Sequence, residues 1–472
     1  MTSADKSLIE NKTFNEIAIG DAASLTQTVT QEAIELFAAI SGDVNPAHMD
    51  PAYARDDMFH HVIAHGMLGA GLISAVLGTE LPGPGTVYLG QDLTFLYPVR
   101  IGDRVTATVT VRQKDAARGD LVLDCLCVNQ AGTPVISGVA RVKAPTEKVR
   151  RPRIEMPDVQ LSRHQRFHAL LTRAAGGQPL TTAVAHPCDA ASILAVAEAA
   201  DAGLIRPVLV GPAAKIAGAA DQAGVDISGF ERIDAPHSDA AAAAAVALVR
   251  AGKADLLMKG SLHTDELLRA VLDETLGLRT KRRLSHVYLM DVPRHPKPLL
   301  ITDAAVNIAP NLGVKRDIVQ NAVDLARVMG IARPKVAILS AVETVNPDIP
   351  STLDAAALCK MAERGQITGA LVDGPLAFDN AVNLQAAKDK GIVSEVAGDA
   401  DILVVPDLEA GNMLAKQLTF LAGADGAGVV LGARVPIILT SRADSARTRL
   451  ASCAVAALIV RAKLAATPAV SA

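Results

Sequence analysis

The chain has 472 residues, half of them hydrophobic and a fifth charged, with a formal net charge of -4. That length exceeds one ordinary core, so two or three globular domains are expected. Aromatic residues make up 3% with no Trp, which leaves neither a basic field nor a set of aromatic platforms for binding nucleic acid.

The opening "MTSADKSLIENKTFNEI" has no basic start followed by an apolar stretch, and no uncharged apolar run reaches the roughly 18 residues of a membrane span. The five cysteines, Cys125, Cys127, Cys188, Cys359 and Cys453, are scattered and contain no CxxC pair. Reduced thiols in a soluble cytoplasmic protein, with no membrane association, are the expectation.

The first chemically dense stretch is "SGDVNPAHMDPAYA", Ser41 to Ala54. Its Gly, Asn and Pro supply a sharp turn that can hold Asp43 and His48 rigidly. A carboxylate and an imidazole converging on one water suit hydration chemistry, which needs a base for the water and an acid for the adjacent carbon. "HGMLGAGLISAVLGTEL", from His65 to Leu81, is apolar all the way round and predicts a helix buried on most sides. The Gly66 N–H at its start is placed to bind an oxygen that gathers negative charge. His60 and His61, in "MFHHVIAHG", have no carboxylate or Cys at ligand spacing, so no metal is assigned.

"RVTATVTV", "DLVLDCLCV" and "VISGVARV" alternate apolar and polar residues, the pattern of antiparallel strands with one wet face. An antiparallel sheet curled around the apolar helix is the expected N-terminal architecture.

"SGDVNPAHMDPAYA", "VIAHGMLGAGLISAVLG" and "GTVYLGQDLTFLYPVRIGDRVTATVTV" resemble the MaoC-like, R-specific enoyl-CoA hydratases of the hot-dog fold, from about Phe14 to Lys143. The resemblance implies Asp43 and His48 as the catalytic pair and the Gly66 N–H as oxyanion donor. It also implies Asn45 as a loop-ordering residue, Ser74 near the acyl pocket, and an (R)-3-hydroxyacyl-CoA product.

From Ala144 to Arg166 the chain is rich in Pro and mixed charge, as linkers are, and the domains are drawn as 1–148, a linker 149–165, and 166–472. Beyond it, apolar runs recur at "PVLVG", "ADLLMKG", "PLLITD", "KVAILSA", "GALVDG", "ADILVVPDL" and "VPIILTS", separated by Ala-rich helical stretches. That alternation predicts an α/β domain with a mostly parallel sheet covered on both faces. Polar segments such as "KGSLHTDELLR", "TDAAVNIAP" and "SRADSAR" follow these runs and are expected to gather at one carboxyl edge as the binding site. Arg442 offers a planar fork for phosphate, Ser441 a neighbouring hydroxyl, and Lys259 and Arg269 further positive charge. No G-x-G-x-x-G or P-loop pattern appears, so nucleotide chemistry is not expected.

"TDAAVNIAP", "DGPLAFDNA" and "PDLEAGNMLAKQLTFLAGADGAGVVLGARVPIILTSRADS" resemble the phosphate acetyl- and butyryltransferases, over roughly Arg166 to Leu464. The resemblance implies exchange of CoA for phosphate on an acyl group, with Ser441 at the thiol or carbonyl, Arg442 on phosphate and Arg269 as a second phosphate ligand. Asn307, in "TDAAVNIAP", is counted among the substrate-binding residues. Acetyltransferases of that family carry an acidic residue beyond the Ser-Arg pair where this chain reads "SARTR"; Asp444 is the nearest candidate base, or else a helix cap.

The reading is a fused, bifunctional acyl-CoA enzyme with CoA thioesters and phosphate as substrates and no tightly bound cofactor. Both resemblances imply dimers, so a homo-oligomer is expected. The alternative is an active hydratase whose C-terminal half binds acyl-CoA, or only assembles the protein, without catalysis.

Overall fold

The structure is a computed structural model and describes residues 8–154, 159, 165–440 and 444–466. The chain divides into two compact units, Met1–Ser162 and Arg163–Ala472.

In the first unit, strands β2 (Ala22–Thr28), β3 (Val87–Phe95), β4 (Arg104–Asp115), β5 (Asp120–Val128) and β6 (Pro134–Lys143) form one sheet in the order β2-β4-β5-β6-β3. Every pairing in it is antiparallel. The alternation seen in sequence is the burial pattern: Val105, Ala107, Val109 and Val111 are buried while Thr106, Thr108 and Thr110 between them are half-buried. These side chains close over Ile73, Val76 and Leu77 of the helix Gly66–Thr79. Each such aliphatic side chain contributes about 1.5–3 kcal/mol by leaving water. Cys125 and Cys127 belong to the same core, and burial pushes the Cys127 thiol up to about 12.

The helix is less enclosed than its composition predicts. Met67, Gly71, Ser74 and Gly78, spaced three or four apart, form an exposed stripe. The sheet wraps one side only, and a stripe built largely of Gly and Ser leaves little apolar area in water.

The charged stretch after Ala144 begins inside the fold rather than as free linker. β7 (Arg150–Pro152) pairs antiparallel with β1 (Leu8–Glu10), and the Asn11 side chain accepts from the Val149 N–H at 2.9 Å. A two-stranded ribbon with an exposed strand carries no apolar pattern, so composition alone does not reveal it.

In the second unit, β8 (Leu180–Ala185), β9 (Ile205–Gly211), β10 (Glu231–Asp234), β11 (Leu256–Lys259), β12 (Ser285–Asp291), β13 (Leu299–Thr302), β14 (Lys335–Leu339), β15 (Leu371–Leu376), β16 (Ile402–Val404), β17 (Asp425–Leu431) and β18 (Ile437–Ile438) form a single sheet. Its order is β10-β9-β8-β11-β18-β17-β12-β13-β16-β14-β15. All seven apolar runs are strands, and the sheet is mostly parallel. Its direction, however, reverses. β10, β9, β8, β11 and β18 are mutually parallel, then three antiparallel pairings through β17 and β12 turn the chain over. β13, β16, β14 and β15 therefore run opposite to the first block.

This corrects the expectation of one polar edge. The segments after β11 and β18 leave one edge of the sheet, and those after β13, β15 and β16 leave the other. The reversing strands are ones the hydrophobic pattern missed: β17 reads "DGAGVVL" and β12 "SHVYLMD". Glycine at 428 is required by packing, since a Cβ there would lie 2.9 Å from Nε2 of His286.

Candidate active sites

The N-terminal site is built by a chain of local hydrogen bonds. Ser41 Oγ accepts from the Asp43 N–H at 3.2 Å, and the Asp43 carboxylate accepts from the Asn45 N–H at 3.2 Å. Asn45 then caps the short helix Pro46–Met49, its side chain accepting from the Ala47 N–H at 3.1 Å. That helix presents His48, whose Nδ1 lies 2.8 Å from the Ile63 carbonyl. A carbonyl only accepts, so Nδ1 carries a hydrogen and Nε2 is the lone-pair nitrogen of the neutral ring.

His65 completes the cluster. Its Nε2 lies 2.9 Å from the Asp43 carbonyl, its ring centroid 4.0 Å from that of His48, and its Nδ1 is buried with no partner among the described residues. One ligand-type atom from each of Asp43, His48 and His65 lies within 4.8 Å of the others. In the sequence His65 marks only the helix start; its place beside the oxyanion glycine is the signal that points to it.

Gly66 is the first helical residue, so its N–H has no acceptor within the helix. A Cβ at this position would lie 2.9 Å from a Phe95 ring carbon, so only glycine lets the helix end approach the ring this closely. His48, His65 and Gly66 line a cavity of about 390 Å³ whose walls include Leu68, Leu72 and Ile136. A polar end joined to an apolar well suits a thioester carrying a hydrocarbon chain. Ser74 lies on the exposed stripe and is not among the residues lining this cavity.

In the second unit, adjacent strands β8, β11 and β18 bring three segments together at their carboxyl ends. β11 ends in Lys259, which is buried and donates to the Gly260 carbonyl at 3.2 Å. Ser261 Oγ donates to the His186 carbonyl at 2.9 Å and accepts from the Cys188 N–H at 3.2 Å, tying β11 to the "HPC" turn after β8. His186 itself sits at φ 53. Burial holds its imidazole below the ordinary range and pushes the Cys188 thiol up to about 11. Sequence alone shows Cys188 only as one of five scattered thiols, because the residues of this turn become neighbours of Lys259 only through sheet pairing.

β18 leads through the buried Thr440 to Ser441 and Arg442, which lie outside the described residues. Asp444 lines a cleft of about 360 Å³ with Lys416, Arg447, Tyr288 and Asp425. Beside it, Ser445 Oγ accepts from the Thr448 N–H at 3.1 Å before the helix Ala446–Ala466. Burial, with the Asp444 charge adding to it, pushes the Tyr288 hydroxyl up to about 12.

Two further expected ligands can be placed on their elements. Asn307 donates to the Leu284 carbonyl at 2.8 Å and to Asp303, whose buried carboxylate gathers the N–H groups of Ala305, Val306 and Asn307. Arg269 is exposed in the last turn of the helix Thr264–Leu272, 3.7 Å from both Asp239 and Asp265.

Among the described residues, no helix is long and apolar enough to cross a membrane.

Residues 236–457 match the phosphate acetyl/butaryl transferase family, and residues 16–123 match the MaoC like domain. The chain is 64% identical over 293 residues to a phosphate acetyltransferase of Rhizobium meliloti, covering 62% of this chain and 93% of that protein. The crystal structure of a branched-chain phosphotransacylase from Enterococcus faecalis V583 is 32% identical, with a TM-score of 0.53, and covers 60% of this chain and 99% of that one. The R-hydratase PhaJ1 from Pseudomonas aeruginosa is 40% identical, with a TM-score of 0.32, and covers 33% of this chain and 100% of that one. Through its larger unit the chain belongs to the phosphate acetyl/butaryl transferase family, and it carries a MaoC-like domain ahead of that unit.

Proposed function

We propose that this is a bifunctional acyl-CoA enzyme. Its first unit interconverts a short-chain enoyl-CoA and the (R)-3-hydroxyacyl-CoA, and its second transfers an acyl group between CoA and phosphate. The observation that carries the first half is the cluster of Asp43 with His48 and His65, together with His48, His65 and Gly66 at the polar end of an apolar cavity. Asp43 and His48 hold one water between them. Hydroxyl adds to C3 while its proton leaves to the pair, and a proton from the pair reaches C2, so the net addition is one water. The Gly66 N–H takes the thioester oxygen as enolate charge develops, an interaction worth about 3 kcal/mol in comparable sites.

In the second unit, a phosphate oxygen attacks the thioester carbonyl, the C–S bond breaks and CoA leaves. Arg442 binds the phosphate bidentately, Ser441 contacts the thiol or the carbonyl, and Lys259 supplies buried positive charge at the adjacent strand end. The proton of the attacking phosphate goes to the leaving thiolate, and in the reverse direction Asp444 is the candidate carboxylate that takes the thiol proton. CoA thioesters and phosphate are the partners, used as substrates without a tightly bound cofactor, by a cytoplasmic homo-oligomer.

The deciding experiment measures thiol release from acetyl-CoA and butyryl-CoA, with and without phosphate, beside hydration of crotonyl-CoA. Phosphate-dependent release together with hydration supports both halves. Hydration without release reduces the second unit to a binding or assembly module.

A further inference from the structure

We infer that Asp43, His48 and His65 form a binding site for a single divalent zinc-type cation, and that this cation switches off the first unit. The geometry has three independent parts. One ligand-type atom of each residue lies within 4.8 Å of the others, so a modest closure of the side chains lets a single ion reach all three at the usual Zn–N and Zn–O distances near 2 Å. Both imidazoles are already oriented as metal-binding histidines are, each with one ring nitrogen against a backbone carbonyl: His48 on Ile63 at 2.8 Å and His65 on Asp43 at 2.9 Å. The remaining nitrogen of His65 is buried with no partner among the described residues, an unpaired acceptor beside the cavity it lines.

Two neutral imidazoles and one carboxylate suit zinc better than magnesium or calcium, which prefer all-oxygen shells. A fourth position is left for water from the cavity. Bound zinc takes the His48 lone pair and the Asp43 charge, the groups the hydration needs. The inhibition arm therefore rests on the hydratase reading, whereas the binding arm does not.

The test uses the full-length protein, stripped with EDTA and titrated with zinc against a chromophoric chelator, with cobalt as a spectroscopic probe. One site per chain is expected, with a visible cobalt band characteristic of low coordination number. Asp43→Asn, at an exposed position, and His65→Ala should each weaken binding by at least about 10-fold and bleach that band. Hydration of crotonyl-CoA should fall along the same zinc titration curve and return with EDTA. Full binding retained in both variants places the metal elsewhere and overturns the inference, as does the absence of binding to the native chain. Zinc binding by a protein that never hydrates crotonyl-CoA keeps the site and removes the hydratase reading instead.

Discussion

The two units place their chemistry in opposite ways. In the first, Asp43, Asn45 and His48 lie within one short turn, joined by hydrogen bonds between residues two apart, and contacts from Ile63 and His65 bring the segment that leads to Gly66 beside it. In the second, Lys259, the His186–Cys188 turn and Thr440 come from strands distant in sequence and meet only because β8, β11 and β18 are neighbours. A site made by one turn survives as a motif that can be read directly. A site made by strand order leaves its residues scattered, with nothing local to say which belong together.

The comparison breaks most decisively if a substitution in one unit damages the other. Asp43→Asn or His48→Ala should lower hydration by on the order of 10²–10⁴-fold and leave phosphate-dependent thiol release unchanged, measured on the same preparation. Near-normal hydration in either variant removes the assignment of the pair. Conversely, Arg442→Ala should cut acyl transfer by about 100-fold, chiefly through the phosphate KM, with crotonyl-CoA hydration intact. Unchanged phosphate kinetics would mean that the anion binds elsewhere.

A smaller effect is expected from Gly66→Ala. The added methyl meets the Phe95 ring at 2.9 Å and must displace it or the helix end. Hydration should fall about 10-fold with a stability loss of about 1 kcal/mol; an unaffected rate would mean that the Phe95 ring yields without moving the helix end.

His286 distinguishes the units by pH. It is fully buried, and burial lowers its pKa from 6.5 to about 4 against the opposing pull of Asp303. Unfolding therefore takes up a proton between those values. The stability is complete above about pH 6.5 and is lost progressively as the pH falls below it. Heat inactivation of thiol release should accelerate between pH 7 and 5, and His286→Phe should flatten that dependence. An identical pH dependence in the variant would assign it to other groups.

The smallest change is predicted for Arg269→Ala. An exposed side chain 3.7 Å from two carboxylates contributes within about 0.5 kcal/mol. The phosphate KM should move by less than about 2-fold; a large rise would return Arg269 to the phosphate site.

Much of this molecule was legible in its residues. The period-2 runs became β4, β5 and β6 because a sheet with one wet face must alternate, and the seven apolar runs became strands because both faces of the larger sheet are covered. The turn at Ser41–Ala54 was legible because Asn, Pro and Asp act on backbone groups only two or three residues away. His65 was passed over because its role depends on a fold that brings residue 65 back to residue 43.

The direction of the strands belonged to tertiary structure alone. Hydrophobic pattern reports burial, and burial is the same for a strand whichever way it runs. β12 and β17 turn the large sheet over through antiparallel pairings, and β17 does so on a glycine-rich segment whose fit depends on His286 across the pairing. Composition and local motif therefore determined the two cores and the first active turn. Which polar segments share an edge was decided by long-range backbone pairing, which no side chain encodes locally.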